Sequence, residues 1–170
     1  ETGSEANQRL LMAANRIGKS FSGAAEMSYH LTGIYPDWWK GRRYSQPITA
    51  WAGGVSNETT RDIVQYELLG SPDDPDAFGS GAIPKNKIIK TERKPGVPNA
   101  KSVALIQHVS GGNSSLHFKA YEMGVDKWQG RSVDCIWLDE EPSRELYSQA
   151  VTRTLDRKGM VYMTFTPESG

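Results

Sequence analysis

Leu10-Leu11-Met12-Ala13-Ala14-Asn15-Arg16-Ile17-Gly18-Lys19-Ser20 is the stretch on which the fold turns. The apolar run Leu10–Ala13 reads as a strand, and a helical pattern runs from Ser20 to about Leu31. A loop between a strand and a helix N-terminus aims successive backbone N–H groups at one spot, where the helix dipole favours an anion. Residues 13–20 match the P-loop pattern GxxxxGKS/T, with Ala13 in place of its first glycine. In that pattern Gly18 lets the backbone approach phosphates, Lys19 reaches the β- and γ-phosphates, and the Ser20 hydroxyl takes Mg²⁺. Asn15 tolerates the left-handed backbone such a loop demands. A bare GKS is equally compatible with an ordinary helix start; its place between strand and helix favours the nucleotide reading.

Cys135-Ile136-Trp137-Leu138-Asp139-Glu140-Glu141 is the second signal. A buried apolar strand ending in acidic residues delivers carboxylates to the C-terminal edge of a sheet, where open α/β folds bind ligands. Asp139 is placed in the Mg²⁺ shell beside Ser20, and Glu140 polarises the attacking water. The competing reading is a helix N-terminus, where acidic residues ahead of Pro142 are favourable in any case. Side chains alternate along an extended chain, so Glu140 and Glu141 are expected to face opposite ways, with Glu140 preferred. Met163-Thr164-Phe165-Thr166-Pro167 closes the final strand with two hydroxyls positioned to sense the γ-phosphate, although such residues are also ordinary strand formers.

Between these signals, Ile48–Ala52 reads as a strand stopped by Gly53-Gly54, and Ser56 or Asn57 caps a helix over Thr59–Leu69. Residues 70–98, rich in Gly, Pro, Asp and Lys, read as a long loop with one extended piece at Ile88-Ile89. Ser102–Val109 and Ser115–Tyr121 flank Ser110-Gly111-Gly112-Asn113 as a β-hairpin. Val133–Leu138 is a strand; Pro142 and Ser143 open a helix to about Leu155 that Gly159 stops; Met160–Phe165 is the last strand. Apolar strands alternating with helices predict an α/β fold with a largely parallel sheet covered on both faces.

With 170 residues, 37% hydrophobic and 24% charged, the chain has the size and make-up of one globular domain. No apolar run approaches the roughly 20 residues that span a bilayer. Glu1-Thr2-Gly3-Ser4 is a polar opening given no functional weight, and no secretory signal is expected. A single cysteine, Cys135, rules out an internal disulfide within these residues and any zinc site built on several cysteines, which fits a reducing compartment. Net charge is zero, which gives no support to whole-surface nucleic-acid binding and leaves room for a local basic patch.

NRIGKS (residues 15–20), IWLDEEP (136–142) and TFTP (164–167) together resemble the Walker A, Walker B and coupling motifs of bacteriophage large terminases. LLMAANRIGKSFSGAAEMSYHLTGIYPDWWKG (residues 10–41) is similar to one branch of that family, and the resemblance runs from about Gln8 to Pro167. It implies a three-layer P-loop NTPase of the ASCE, RecA-like class, with a mostly parallel central sheet flanked by helices and an added β-hairpin. Residues 7–170 would form the ATPase domain, 1–6 a remnant or disordered start, and the family's nuclease domain would lie outside this stretch. ATP and Mg²⁺ are the implied cofactors. The nucleotide-binding set is Ala14, Asn15, Arg16, Ile17, Gly18, Lys19, Ser20 and Phe21; Ser20 and Asp139 take the metal. Glu140, Lys19 and Arg131 are the catalytic set, with Arg131 either reaching a neighbouring subunit's ATP or standing as a surface arginine. Thr164 or Thr166 couples hydrolysis to movement.

By the same resemblance the chain drives double-stranded DNA into a procapsid, as part of a homo-oligomeric ring at a portal protein, with a small terminase subunit and no membrane. That work belongs to the cytoplasm of a bacterial host. The alternatives are a nucleotide-binding or assembly module without turnover in isolation, and another ATPase of the class such as a helicase core. Lys85, Lys87, Lys90, Arg93 and Lys94 form a basic run that meets DNA phosphates or is a solvated loop. Asp73, Asp74 and Asp76 read as a solvated loop rather than a metal cluster. Trp38-Trp39 are expected to pack on the P-loop helix, with adenine stacking the lesser reading. His30, His108 and His117 lack metal-ligand spacing.

Overall fold

The computed structural model describes residues 3–14 and 16–167, so Glu1, Thr2, Asn15 and the last three residues lie outside the description. Its centre is a seven-stranded sheet in the order β1-β7-β6-β2-β5-β4-β3. The strands are β1 (Gln8–Met12), β2 (Thr49–Gly54), β3 (Ile88–Arg93), β4 (Lys101–Gln107), β5 (Asn113–Ala120), β6 (Cys135–Asp139) and β7 (Met160–Phe165). β1, β7, β6, β2 and β5 run parallel, and β4 and β3 continue the sheet antiparallel. The mostly parallel sheet is thus a parallel block with an antiparallel wing. The hairpin expected from the turn at Ser110–Asn113 is β4–β5, and β5 doubles as a member of the parallel block.

Helices lie on both faces of the parallel block. α1 (Lys19–Thr32) buries Ala24, Met27 and Leu31 against Ala52, Cys135, Trp137 and Tyr162. It ends at Gly33, whose left-handed φ of 73° suits a residue without Cβ. On the same face, α2 (Asn57–Thr59) runs through a π-helical turn (Thr60–Gln65) into α3 (Tyr66–Leu69). Ser56, not Asn57, is the cap: its side chain accepts from Thr59 N at 3.0 Å, and the Thr59 hydroxyl accepts in return from Ser56 N at 2.9 Å. α4 (Arg144–Leu155), capped by Ser143, covers the opposite face with Leu146 and Ala150 against Ile136, Leu138 and Val161.

Three sequence readings are corrected. Gly53 and Gly54 do not stop β2 but belong to it, because a Cβ at Gly53 would lie 2.6 Å from the Trp128 ring and one at Gly54 3.1 Å from Thr60. These are glycines of close approach, not of a turn. The extended piece at Ile88-Ile89 grows into the six-residue β3, paired with β4 through two register shifts. α4 ends before Gly159; the left-handed residue after it is Lys158, at φ 50°. At the chain's start, residues 3–6 are placed against the body, where Ser4 O accepts from Arg42 N at 3.0 Å.

Candidate functional site

The loop between β1 and α1 leads into a helix N-terminus, whose free N–H groups and dipole favour an anion. Gly18 caps α1 with φ 82°, its side-chain position open, and among the described residues no side chain caps the first-turn N–H groups. No acidic residue occupies that turn either. Arg16, exposed, takes a left-handed φ of 64°, so the left-handed role expected of Asn15 is filled by Arg16 and Gly18 among the described residues. Asn15 itself lies outside the description. Lys19 is buried and folds back across the loop, its Nζ donating to Ala14 O at 2.8 Å. Ile17 and Phe21 stand exposed on the first turn's outer side.

The acidic strand meets this loop. The Ser20 hydroxyl donates to Asp139 Oδ1 at 3.0 Å, and the Thr164 hydroxyl donates to the same oxygen at 2.7 Å. Asp139 is 4% exposed, and burial raises its carboxyl above the ordinary range, opposed by the Thr164 and Ser20 hydrogen bonds. Thr164 therefore touches the acidic site directly, whereas the Thr166 backbone N–H reaches Glu140 Oε2 at 3.4 Å.

Glu140 leaves the strand with a left-handed φ of 68°, its N–H donating to Thr164 O at 2.8 Å. The chain is not extended at this point, so the alternation argument that set Glu140 and Glu141 on opposite sides does not apply. Both line one cleft with Met12, Val55, Phe165, Thr166 and Pro167. Tyr121 secures the turn, its hydroxyl directed at both Asp139 O and Glu140 O, at 2.9 and 2.8 Å. Sequence reasoning missed Tyr121, because its partners are backbone carbonyls on another strand.

Other candidates stand apart. Arg131 is exposed ahead of β6, at the end of the strand opposite Asp139. The basic run lies on β3 and on either side of it, at the sheet edge farthest from β1. Parts of it are engaged: Lys85 Nζ lies 3.4 Å from Asp76 O and Lys90 pairs with Glu92. Asp74 caps a short 3₁₀ turn and Asp73 accepts from Asn99. Trp39 packs on the end of α1, edge-on to Tyr29 and His30, with Trp38 beside it. His30 is a core residue between Glu26 and Tyr35.

The donor set suits Mg²⁺: one hydroxyl and one carboxylate, hard oxygens of the kind this ion takes alongside substrate phosphates and waters. An uncapped helix start supplies the anion-binding half of the same arrangement.

A family model described as "Terminase large subunit, T4likevirus-type, N-terminal" matches residues 10–170. The chain is 37% identical to the terminase large subunit of Salmonella phage P22 over an alignment that takes in 100% of this chain and 38% of that protein. It therefore spans well under half of that relative's length. The large terminase of a thermophilic bacteriophage superposes with a TM-score of 0.65 at 12% identity, covering 95% of this chain and 34% of the other, a likeness of fold.

Proposed function

This chain belongs to the terminase large-subunit family, matched through that family's N-terminal domain, and we propose that it is the ATP-hydrolysing motor domain of a DNA-packaging terminase. On this reading the fold is a P-loop NTPase of the ASCE class. The observation that carries it is the Ser20–Asp139 hydrogen bond, which joins the P-loop helix to the acidic strand across the intervening β7. A helix start and an acidic turn serving only their own helices would have no reason to meet.

Lys19 exchanges its bond to Ala14 O for phosphate oxygens, and the first-turn N–H groups of α1 surround the same phosphates. Ser20 and Asp139 would hold Mg²⁺, which when bound would supply charge neutralisation for the transferred phosphoryl group. Glu140 orients and deprotonates the attacking water, its backbone held by Thr164 and Tyr121. Thr164, bonded to Asp139, would carry a change at that carboxylate into β7. The proposed setting is a ring at a portal protein in the bacterial cytoplasm, with double-stranded DNA as cargo and a small terminase subunit as partner.

A second reading, a nucleotide-binding module that does not turn over alone, is favoured by the place of Arg131 at the far end of β6. Single-turnover ATP hydrolysis measured against protein concentration separates the two. A rate constant independent of concentration supports a self-sufficient site; a rate that rises with concentration supports completion by a neighbour. Nucleotide binding with no hydrolysis at any concentration would leave the binding module standing.

A further inference from the structure

We propose that Trp137 is a positioning residue for the Ser20–Asp139 site, acting through the hydroxyl of Thr164. The inference rests on the nucleotide reading above and names a residue that the reading does not require.

Trp137 lies on β6, two residues before Asp139, and is fully buried. Its indole Nε1–H donates to Thr164 Oγ1 at 2.8 Å, and Thr164 Oγ1 donates onward to Asp139 Oδ1 at 2.7 Å. A threonine hydroxyl has one proton and can rotate to suit its neighbours. An indole N–H can only donate, so Thr164 must accept from Trp137, and its own proton is committed to the carboxylate. The Ser20 hydroxyl donates to that same oxygen at 3.0 Å. Trp137 thus occupies the accepting side of the Thr164 oxygen and favours the orientation in which its proton meets Asp139, so that Oδ1 is held from both sides.

The indole is itself held. It lies parallel to the Tyr162 ring, with centroids 6.4 Å apart and an interplanar angle of 5°. The Tyr162 hydroxyl donates to Gly23 O at 2.8 Å. Gly23 sits directly on the indole, where a Cβ would come within 2.5 Å of Nε1. The plate that orients Thr164 is therefore also the floor of the P-loop helix. A buried indole N–H needs a partner in any case; the partner it has here is the hydroxyl that itself donates to Asp139.

The test is nucleotide binding to this chain, read with a fluorescent ADP analogue in EDTA and in Mg²⁺. Trp137→Phe keeps an aromatic ring and removes the donor. Affinity in EDTA is expected to stay as in wild type, while the gain on adding Mg²⁺ falls about fivefold, the factor carried by one ordinary buried hydrogen bond. In a Thr164→Val background, Trp137→Phe should change the Mg²⁺ gain no further. An equal Mg²⁺ gain in wild type and Trp137→Phe overturns the inference, as does an undiminished effect in the Thr164→Val background. Should Trp137→Phe fail to fold, Thr164→Ser, which keeps the relay, is expected to retain the gain that Thr164→Val loses; equal gains in those two variants overturn the inference. A wild-type chain that binds no nucleotide, or gains nothing from Mg²⁺, removes the nucleotide reading and this inference with it.

Discussion

The Ser20 hydroxyl donates to Asp139 Oδ1 at 3.0 Å although their strands are not neighbours, since β7 runs between β1 and β6. Strands in a sheet lie about 4.8 Å apart, so α1 and the acidic strand meet across roughly twice that distance. The loop after β1 and the turn after β6 both lean over the end of β7, where Thr164 completes the contact.

Lys19→Ala is expected to abolish nucleotide binding. The buried ammonium bridges the loop to Ala14 O and is the point charge available for the β- and γ-phosphates. Losing charge-assisted bonds worth about 1.5–3 kcal/mol each should weaken affinity by at least about a hundredfold. Titration with a labelled ATP analogue checks this, and an unchanged affinity would falsify the P-loop assignment.

Glu140→Gln is expected to keep Mg-ATP binding and to lower single-turnover hydrolysis by about 10²–10⁴, the usual weight of a general base. Glu141→Gln should cost less than about tenfold by the same measure. Since both side chains line the cleft, this pair decides the register of the base. The reverse ranking would move the role to Glu141.

Gly23→Ala tests the floor of the P-loop helix. Alanine favours a helix over glycine by about 1 kcal/mol. Here its methyl would press on the buried Trp137 ring at 2.5 Å, and such overpacking costs about 1–3 kcal/mol. A lower melting temperature is expected. A higher one would mean that the indole yields, and that the contact exerts no constraint.

Acid should weaken the fold through His30. Burial, with Arg9 and Arg42 nearby, pushes the imidazole from 6.5 down to about 3. The adjacent Glu26 carboxylate would oppose this, but Arg9 pairs with the same oxygen and offsets its charge. The Glu26 carboxylate can only accept, so the neutral ring carries its proton on Nε2 towards it, and the Tyr35 hydroxyl, accepting from Tyr44 N, donates to Nδ1. Between pH 6.5 and 3 the unfolded chain binds a proton that the folded chain refuses. Stability from this group is complete above that window and declines as pH falls through it, by about 2 kcal/mol at pH 5. Urea unfolding at pH 7 and pH 5 should show a smaller pH-dependent loss in His30→Gln. An equal loss in both proteins would place the sensitivity elsewhere.

The order of the parallel block was not legible in the sequence, but most of its members were. β1, β6 and β7 are apolar runs with polar ends, and α4 announces itself through Ser143. β3 is hard to see because its alternation is broken by two register shifts inside a Lys-rich segment. Gly53 reads as a stop because its reason for being glycine is Trp128, a tertiary neighbour. The π turn at Thr60–Gln65 depends on Gln65 bonding Asn99 O and Lys101 N, which no local pattern announces. At the site, Lys19, Ser20 and Asp139 were legible because their chemistry fixes residue type and order. Tyr121 and Trp137 were not, since they act on atoms that other strands supply.

Arg131 is expected to act on a neighbour. In its own chain it stands at the opposite end of β6 from Asp139. An arginine supplied from outside raises phosphoryl transfer by roughly 10³–10⁵, so the isolated chain should hydrolyse ATP slowly and faster on assembly. Arg131→Ala should remove that rise with nucleotide affinity nearly intact. Mixing Arg131→Ala with Glu140→Gln subunits of the full-length protein should restore activity at interfaces pairing the two intact residues. No rescue in mixtures shown to co-assemble would end the trans assignment.

The place of β7 also bears on how the chain comes into being. A ribosome releases β1 before the other described strands and β7 after them, yet among the described residues β7 is the only strand that β1 pairs with. Until residues 160–165 emerge, Gly18, Lys19 and Ser20 hang from an unpaired strand, and Asp139 has neither its Thr164 partner nor a neighbour on that side. The loop that follows the first of these strands is the part of the sheet whose geometry waits for the last of them.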